Sequence, residues 1–312
     1  MTDEMQISPA SPSLLRRIFV GPDNIRAGWS IAIFFLLMAL FTTVFFFPTK
    51  VLLEHFKFRL DDSQPLPACA AETMAFLGVL GASMVMARIE HKPLVSYGLE
   101  GTGRLKNFLV GFVSGFAALS VLVGALKLSG FLSFDGQNIF GWQAIMYAVA
   151  WQAVFFLVGI YEEYMMRGYI QSTLSRGIGF WWSAFILSAA FGCLHLSNKG
   201  ESSVGIFSAA FVGFIFCISL WYLKNLWWAI GFHDAWDWAQ SYFWGTADSG
   251  KVSAGHLFSV HPQGSDLWSG GSTGPEGSLM ILFLLPLIAL LMWVAWRKRT
   301  NNGTEMQTAP SA

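Results

Sequence analysis

WQAIMYAVAWQAVFFLVGIYEEYMMRGYIQSTLSR, from Trp142 to Arg176, is followed after Gly177-Ile178-Gly179 by FWWSAFILSAAFGCLHL, from Phe180 to Leu196. Both runs are apolar and close to or beyond the ~20 residues that a bilayer crossing needs. Charge sets the pair apart: Glu162, Glu163 and Arg167 interrupt the first run, and His195 closes the second. An ionisable group at mid-bilayer costs at least about 2.5–3.5 kcal/mol, so its presence there points to function. The expected fold is all-α, a polytopic transmembrane helix bundle organised around this pair.

The register of the pair follows from counting. With the chain folded back about Ile178, Glu162 lies 16 residues before the turn and His195 lies 17 after it. At about 1.5 Å of rise per residue, both sit roughly 24–26 Å from the turn. Neighbouring antiparallel helices therefore hold them at one depth. Glu163 and Arg167 are four apart on one face and can neutralise each other. Glu162, five before Arg167, is the carboxylate left free.

The whole chain has the same character. Of its 312 residues 54 % are hydrophobic and only 12 % charged, with a mean hydropathy of +0.51, which excludes an ordinary soluble domain. Net charge is zero, so there is no basic surplus to suggest nucleic acid. About eight spans are expected: Ala27 to Phe47, Ala68 to Ala87, Phe108 to Leu128, Trp142 to Arg176, Phe180 to Leu196, Val204 to Leu223, Leu226 to Trp244 and Leu279 to Trp296. They form one domain, 27–296, with its core at 142–244, between polar tails at 1–26 and 297–312. Cys69, Cys193 and Cys217 lie in apolar runs without CxxC spacing and read as buried small hydrophobes. Glu72, early in the second span, reads as interfacial.

Two further stretches bear on the architecture. Gly111 and Gly115 have GxxxG spacing, which permits close helix contact but also arises by chance. The segment from Thr246 to Gly277 is rich in Gly and Ser and reads as a flexible linker, with a lid as the alternative. His256 and His261 within it read as solvated. Orientation follows from Lys and Arg: with the N-terminus inside, thirteen fall on inner segments and six on outer ones, so both termini are expected in the cytoplasm.

The seventh span supplies a third group of polar residues. In Gly231-Phe-His-Asp-Ala-Trp-Asp237, His233 and Asp237 are four apart and share a helical face, while Asp234 points elsewhere. Singly, each feature has a structural explanation: an interhelical hydrogen bond for His195, a buried ion pair for Glu163 and Arg167, a held imidazole for His233. Two acids and two histidines gathered on three apolar helices are costly for architecture alone.

Three motifs then carry a resemblance. Glu162-Glu163-Tyr-Met-Met-Arg167 matches EExxxR, Phe191-Gly-Cys-Leu-His195 matches FxxxH, and His233-Asp-Ala-Trp-Asp237 matches HxxxN/D. In order, spacing and placement they resemble the CPBP intramembrane protease family, which includes type II CAAX prenyl endopeptidases and bacterial immunity-type relatives. Gly270-Gly-Ser-Thr-Gly-Pro-Glu-Gly-Ser278 is similar to a loop of some bacterial members. The resemblance implies hydrolysis of peptide bonds in membrane-associated substrates, CAAX-like or other, in a bacterial inner membrane. The expected partners are the lipid bilayer and a peptide or lipidated protein, with no nucleic acid.

That chemistry needs a base, a partner for it and donors to an oxyanion. Glu162 is the expected general base, His195 positions and helps deprotonate a water, and His233 donates to the oxyanion. Glu163, Arg167 and Phe191 support them. Asp237 departs from an Asn alternative: it is protonated, or orients His233, or binds a metal. The last option would place zinc on His195, His233 and Asp237, and the family is described both as metal-dependent and as using a glutamate-activated water. No GxSxG is present, and Cys193 lies on a different helical face from His195. The alternatives are a non-enzymatic immunity or scaffold protein of the same fold and a proton- or ion-coupled transporter; the chain shows no internal repeat of the kind transporters carry.

Overall fold

The computed structural model describes residues 18–21, 25–55 and 61–308. Most of the 1–26 tail and the last four residues lie outside them. The architecture is an all-α bundle: α1 (Ala27–His55), α2 (Pro65–Ile89), α3 (Arg104–Leu128), α4 (Gly141–Ile178), α5 (Phe180–Leu194), α6 (Ser203–Leu223), α7 (Trp227–Trp238), a single turn α8 (Asp266–Ser269) and α9 (Ile281–Thr308). Six of these helices, α1 to α6, are long and apolar enough to span a membrane, and the chain is a multi-pass membrane protein. The remaining two expected spans are shorter or more polar. α7 carries His233, Asp234 and Asp237, and the apolar part of α9 is Ile281–Arg297. α9 stays helical to Thr308, into the stretch expected to be a polar tail.

Large side chains such as Leu36, Val113, Leu128, Trp182 and Phe283 point outward from the bundle. In water such a surface would be a liability; against lipid it costs nothing. Successive helices run in opposite directions, giving the bundle two ends. At one end Asn107 donates to Asn225 (3.2 Å), the Leu226 amide to the Gly98 carbonyl (2.9 Å), and Arg176 pairs with Glu90 (2.7 Å). Gly179 turns the chain there from α4 into α5 with φ 83°, a backbone conformation that suits glycine.

At the other end the segment 246–277 is folded rather than a flexible linker. β2 (Phe258–Pro262) pairs antiparallel with β1 (Leu132–Gln137), the strand between α3 and α4. Ser269, Thr273, Glu276 and Ser278 are buried, and Trp151 and Trp238 anchor neighbouring backbone through indole N–H donors to Ala254 and Ala148 (2.9 and 3.0 Å). Glycines and serines make this stretch look disordered in sequence; here they allow tight turns and close packing. His256 and His261 keep local partners, Ser253 and Asp135.

The glycine spacing in α3 proves structural. A Cβ on Gly111, Gly115 or the facing Gly231 would collide with the backbone of Trp228, Phe232 or Phe108. α3 and α7 therefore touch backbone to backbone, which fixes α7 and the residues it presents. Cys217 is buried as expected, whereas Cys69 is only partly buried and Cys193 faces outward.

Candidate active site

The EExxxR motif sits where α4 changes winding. The helix is regular to Glu163, passes through a π turn at Tyr164–Ile170 and resumes at Gln171. A π turn interrupts the regular ladder and often marks a functional position. Here Arg167 Nη1 bonds Glu163 Oε1 at 2.9 Å, with both side chains fully buried. The guanidinium lies 4.3 Å from the centre of the Phe191 ring and 5.5 Å from that of Phe216. Gly213 leaves room for it, since a Cβ there would strike Nη2. Phe191 thus holds the arginine as well as preceding His195.

Glu163 has a second task that the spacing did not reveal. Its Oε1 also contacts His233 Nδ1 at 3.0 Å. Already the partner of Arg167, this carboxylate can only accept, so Nδ1 carries the proton and Nε2 is set by the bond opposite. His233 Nε2 then faces Asp237 Oδ2 at 3.4 Å and Glu162 Oε2 at 3.8 Å. The imidazole stacks on Phe216, 5.8 Å between centres. Three carboxylates from two helices thus surround one histidine.

His195 stands at the end of α5, its Nδ1 2.8 Å from the Phe191 carbonyl. A carbonyl can only accept, so Nδ1–H donates and Nε2 is left with its lone pair. His195, His233 and Asp237 line one cavity, together with Phe191. Glu162 is not in that wall: it reaches His233 from α4 and shares the Tyr161 hydroxyl (3.2 Å) with Glu72, which turns towards α4. Asp234 is buried between α4 and α7, accepting from Gln152 at 2.6 Å.

Motif reasoning missed the outer wall. Glu201, Asp248 and Glu276 complete the cavity from the loop side. Glu276 accepts from the Ser249 amide (2.7 Å) and from Gln240, and Asp248 accepts from Ser241 (2.9 Å). Burial pushes the Glu276 carboxyl well above its ordinary range, with the nearby Asp248 charge adding to it. Burial likewise raises Asp248 and Glu201. The one available signal was the Gly270–Ser278 segment, in which Glu276 is the single charged residue. The cavity is partly open, and its space for water-sized groups, about 70 Å³, admits a few water molecules.

The metal option can be set against this donor set. Glu163 Oε2 and Asp234 Oδ2 are buried without a hydrogen bond. Among the described residues no group of three or more His, Cys, Asp or Glu side chains is arranged to hold a metal. His195, His233 and Asp237 share a cavity without forming a ligand cage, and no step below runs through a metal.

No curated protein and no solved structure matches the chain. A family model does: type II CAAX prenyl endopeptidase Rce1-like, over residues 140–239, about one third of the chain and the part that carries all three motifs. This is a family of peptide-bond hydrolases that work at membranes. Over this segment, with Glu162, His195 and His233 inside the match, the chain is similar to the type II CAAX prenyl endopeptidase Rce1-like family.

Proposed function

We propose that the protein is an intramembrane endopeptidase that cleaves membrane-associated peptides with a water activated by Glu162 and His195. The observation that carries this reading is the position of Glu162 and Asp237 at 3.8 and 3.4 Å from the same imidazole nitrogen. Both exceed a direct hydrogen bond, and such spacing suits a shared water. Glu162 takes the proton from the attacking water as the scissile carbon is approached. His195, with its free Nε2 in the cavity, orients that water. His233, held through Nδ1–H by Glu163 and through it by Arg167, donates from Nε2–H as an imidazolium to the developing oxyanion, and Glu162 passes the proton it took from the water to the leaving amine.

Asp237 has a second part to play. An ionised carboxylate beside an oxyanion would repel it, so Asp237 acts as an orienting partner of His233 or as a neutral donor. The substrate is a membrane-associated peptide, CAAX-like or other, and the setting a bacterial inner membrane.

The test is hydrolysis of prenylated and plain peptides by purified wild type and Glu162→Gln, with and without chelator. General acid–base catalysis contributes about 10²–10⁴-fold, so Glu162→Gln should lose at least about a hundredfold in kcat/KM while its melting temperature is kept. Loss of wild-type activity on chelation would bring a metal into the mechanism. Equal activity of the two proteins, or proton flux in liposomes without hydrolysis, would contradict the reading.

A further inference from the structure

The cavity does not lie midway between the two ends of the bundle. Its rim is built from Glu201, Asp248, Ser249 and Glu276, all from the end that carries the β1–β2 ribbon. Glu201, Asp248 and Ser249 are partly exposed, so this wall reaches solvent. Towards the opposite end the cavity is floored by Phe216, with the Arg167–Glu163 pair behind it. Behind that floor, Tyr169, Leu226 and Ile230 are fully buried. A peptide entering from that side would have to break the core.

The two ends also differ in charge. With Arg167 buried in the core, the other described Lys and Arg positions divide ten to the closed end and four to the cavity end. The ten include Arg26, Arg88, Lys92, Arg104, Lys106 and Arg176. Lys and Arg in short loops are retained on the cytoplasmic side. The closed end is therefore cytoplasmic and the rim is outside.

We propose that the site is served from the non-cytoplasmic face, so that its substrate is a peptide segment exposed on the outer side of the membrane and not a cytoplasmic lipidated C-terminus. This rests on the endopeptidase reading for the word substrate, but the side on which the cavity opens rests on geometry and charge alone. It narrows the substrate class to outward segments of membrane proteins and to peptides already carried across the membrane.

Two added-cysteine reporters test it, each at an exposed position outside the cavity lining: Lys199→Cys beside the rim and Thr102→Cys at the closed end. Membranes carrying either variant are prepared as right-side-out and as inverted vesicles and treated with a charged, impermeant maleimide, with wild type as background. Lys199→Cys should label at least tenfold faster in right-side-out vesicles, and Thr102→Cys at least tenfold faster in inverted ones. In parallel, an impermeant peptide that the detergent-purified protein cleaves should be cut by right-side-out vesicles only. Labelling of Lys199→Cys from the cytoplasmic side, or cleavage confined to inverted vesicles, would overturn the proposal. Expected labelling without any cleavage in detergent would remove the endopeptidase reading and the substrate assignment with it, leaving only the outward opening.

Discussion

Glu90 and Glu276 are both buried carboxylates, one at each end of the bundle, and their partners differ. Glu90 is bound twice by Arg176 (2.7 and 3.1 Å) and accepts from Tyr97 (3.2 Å) and Tyr169 (3.0 Å). Burial would push its carboxyl up, but the bond and charge of Arg176, with Tyr169 and Lys92, outweigh it and hold Glu90 below its ordinary range. Glu276 has only neutral donors and the like charge of Asp248 beside it, so burial prevails and its carboxyl is raised. A saturated, neutralised carboxylate ties elements together. An unneutralised one persists where chemistry or substrate requires it. The Glu163–Arg167 pair is of the first kind, yet it holds up a cluster of the second kind around His233.

Breaking the neutralised pair in the core should have the largest effect. Arg167→Met strands Glu163 in the core, and removing one partner of a buried ion pair costs about 3–5 kcal/mol. Thermal unfolding in detergent should show that loss together with abolished hydrolysis, because His233 loses its support. A melting temperature equal to wild type would mean that the pair does not hold the site. At the closed end, Glu90→Gln removes charge-assisted bonds that contribute about 1.5–3 kcal/mol. It should lower stability by that order while leaving turnover within about twofold, an outcome that separates architecture from chemistry.

Gly115→Ala probes the contact that positions α7. Over-packing of this kind costs about 1–3 kcal/mol, and because Phe232 adjoins His233 the variant should lose turnover as well as stability. Unchanged turnover would show that the α3–α7 contact does not set the site. The smallest effects are those of pH, and they run in opposite directions at the two ends. Glu90, held below its ordinary value, stabilises above the free carboxylate range of about 4, and this is lost as pH falls through its folded value. Asp248 and Glu276, held above theirs, stabilise most below about 4, and this is lost as pH rises through their folded values. Amide protection against hydrogen exchange, taken relative to the intrinsic base-catalysed rate, should therefore fall with rising pH across pH 4–8 in residues 246–277 and not around Tyr97 and Leu226. Parallel behaviour at both ends would break the comparison.

Much of the fold could be read before the structure, because membrane spans announce themselves by length and composition. The register of Glu162 and His195 was counted with a constant rise about Ile178, and the π turn at Tyr164–Ile170 between them could not be read that way. The GxxxG pair was visible, but whether it was used depended on Gly231 in a helix far along the chain. What could not be read was pairing at a distance. Glu163 serves His233 across seventy residues, and no local spacing records that. Nor does composition distinguish a Gly/Ser-rich linker from a folded wall whose glycines allow close turns.

The central claim is that an acid from α4, an imidazole from α5 and an imidazole from α7 act as one unit on one water. Residues acting as a unit lose activity non-additively. Measuring kcat/KM for Glu162→Gln, His195→Gln and the double variant, with folding checked by melting temperature, tests this directly. The account predicts that each single change costs at least about a hundredfold and that the double variant is little worse than the poorer single. Losses that multiply, or a single variant with wild-type activity, would contradict it.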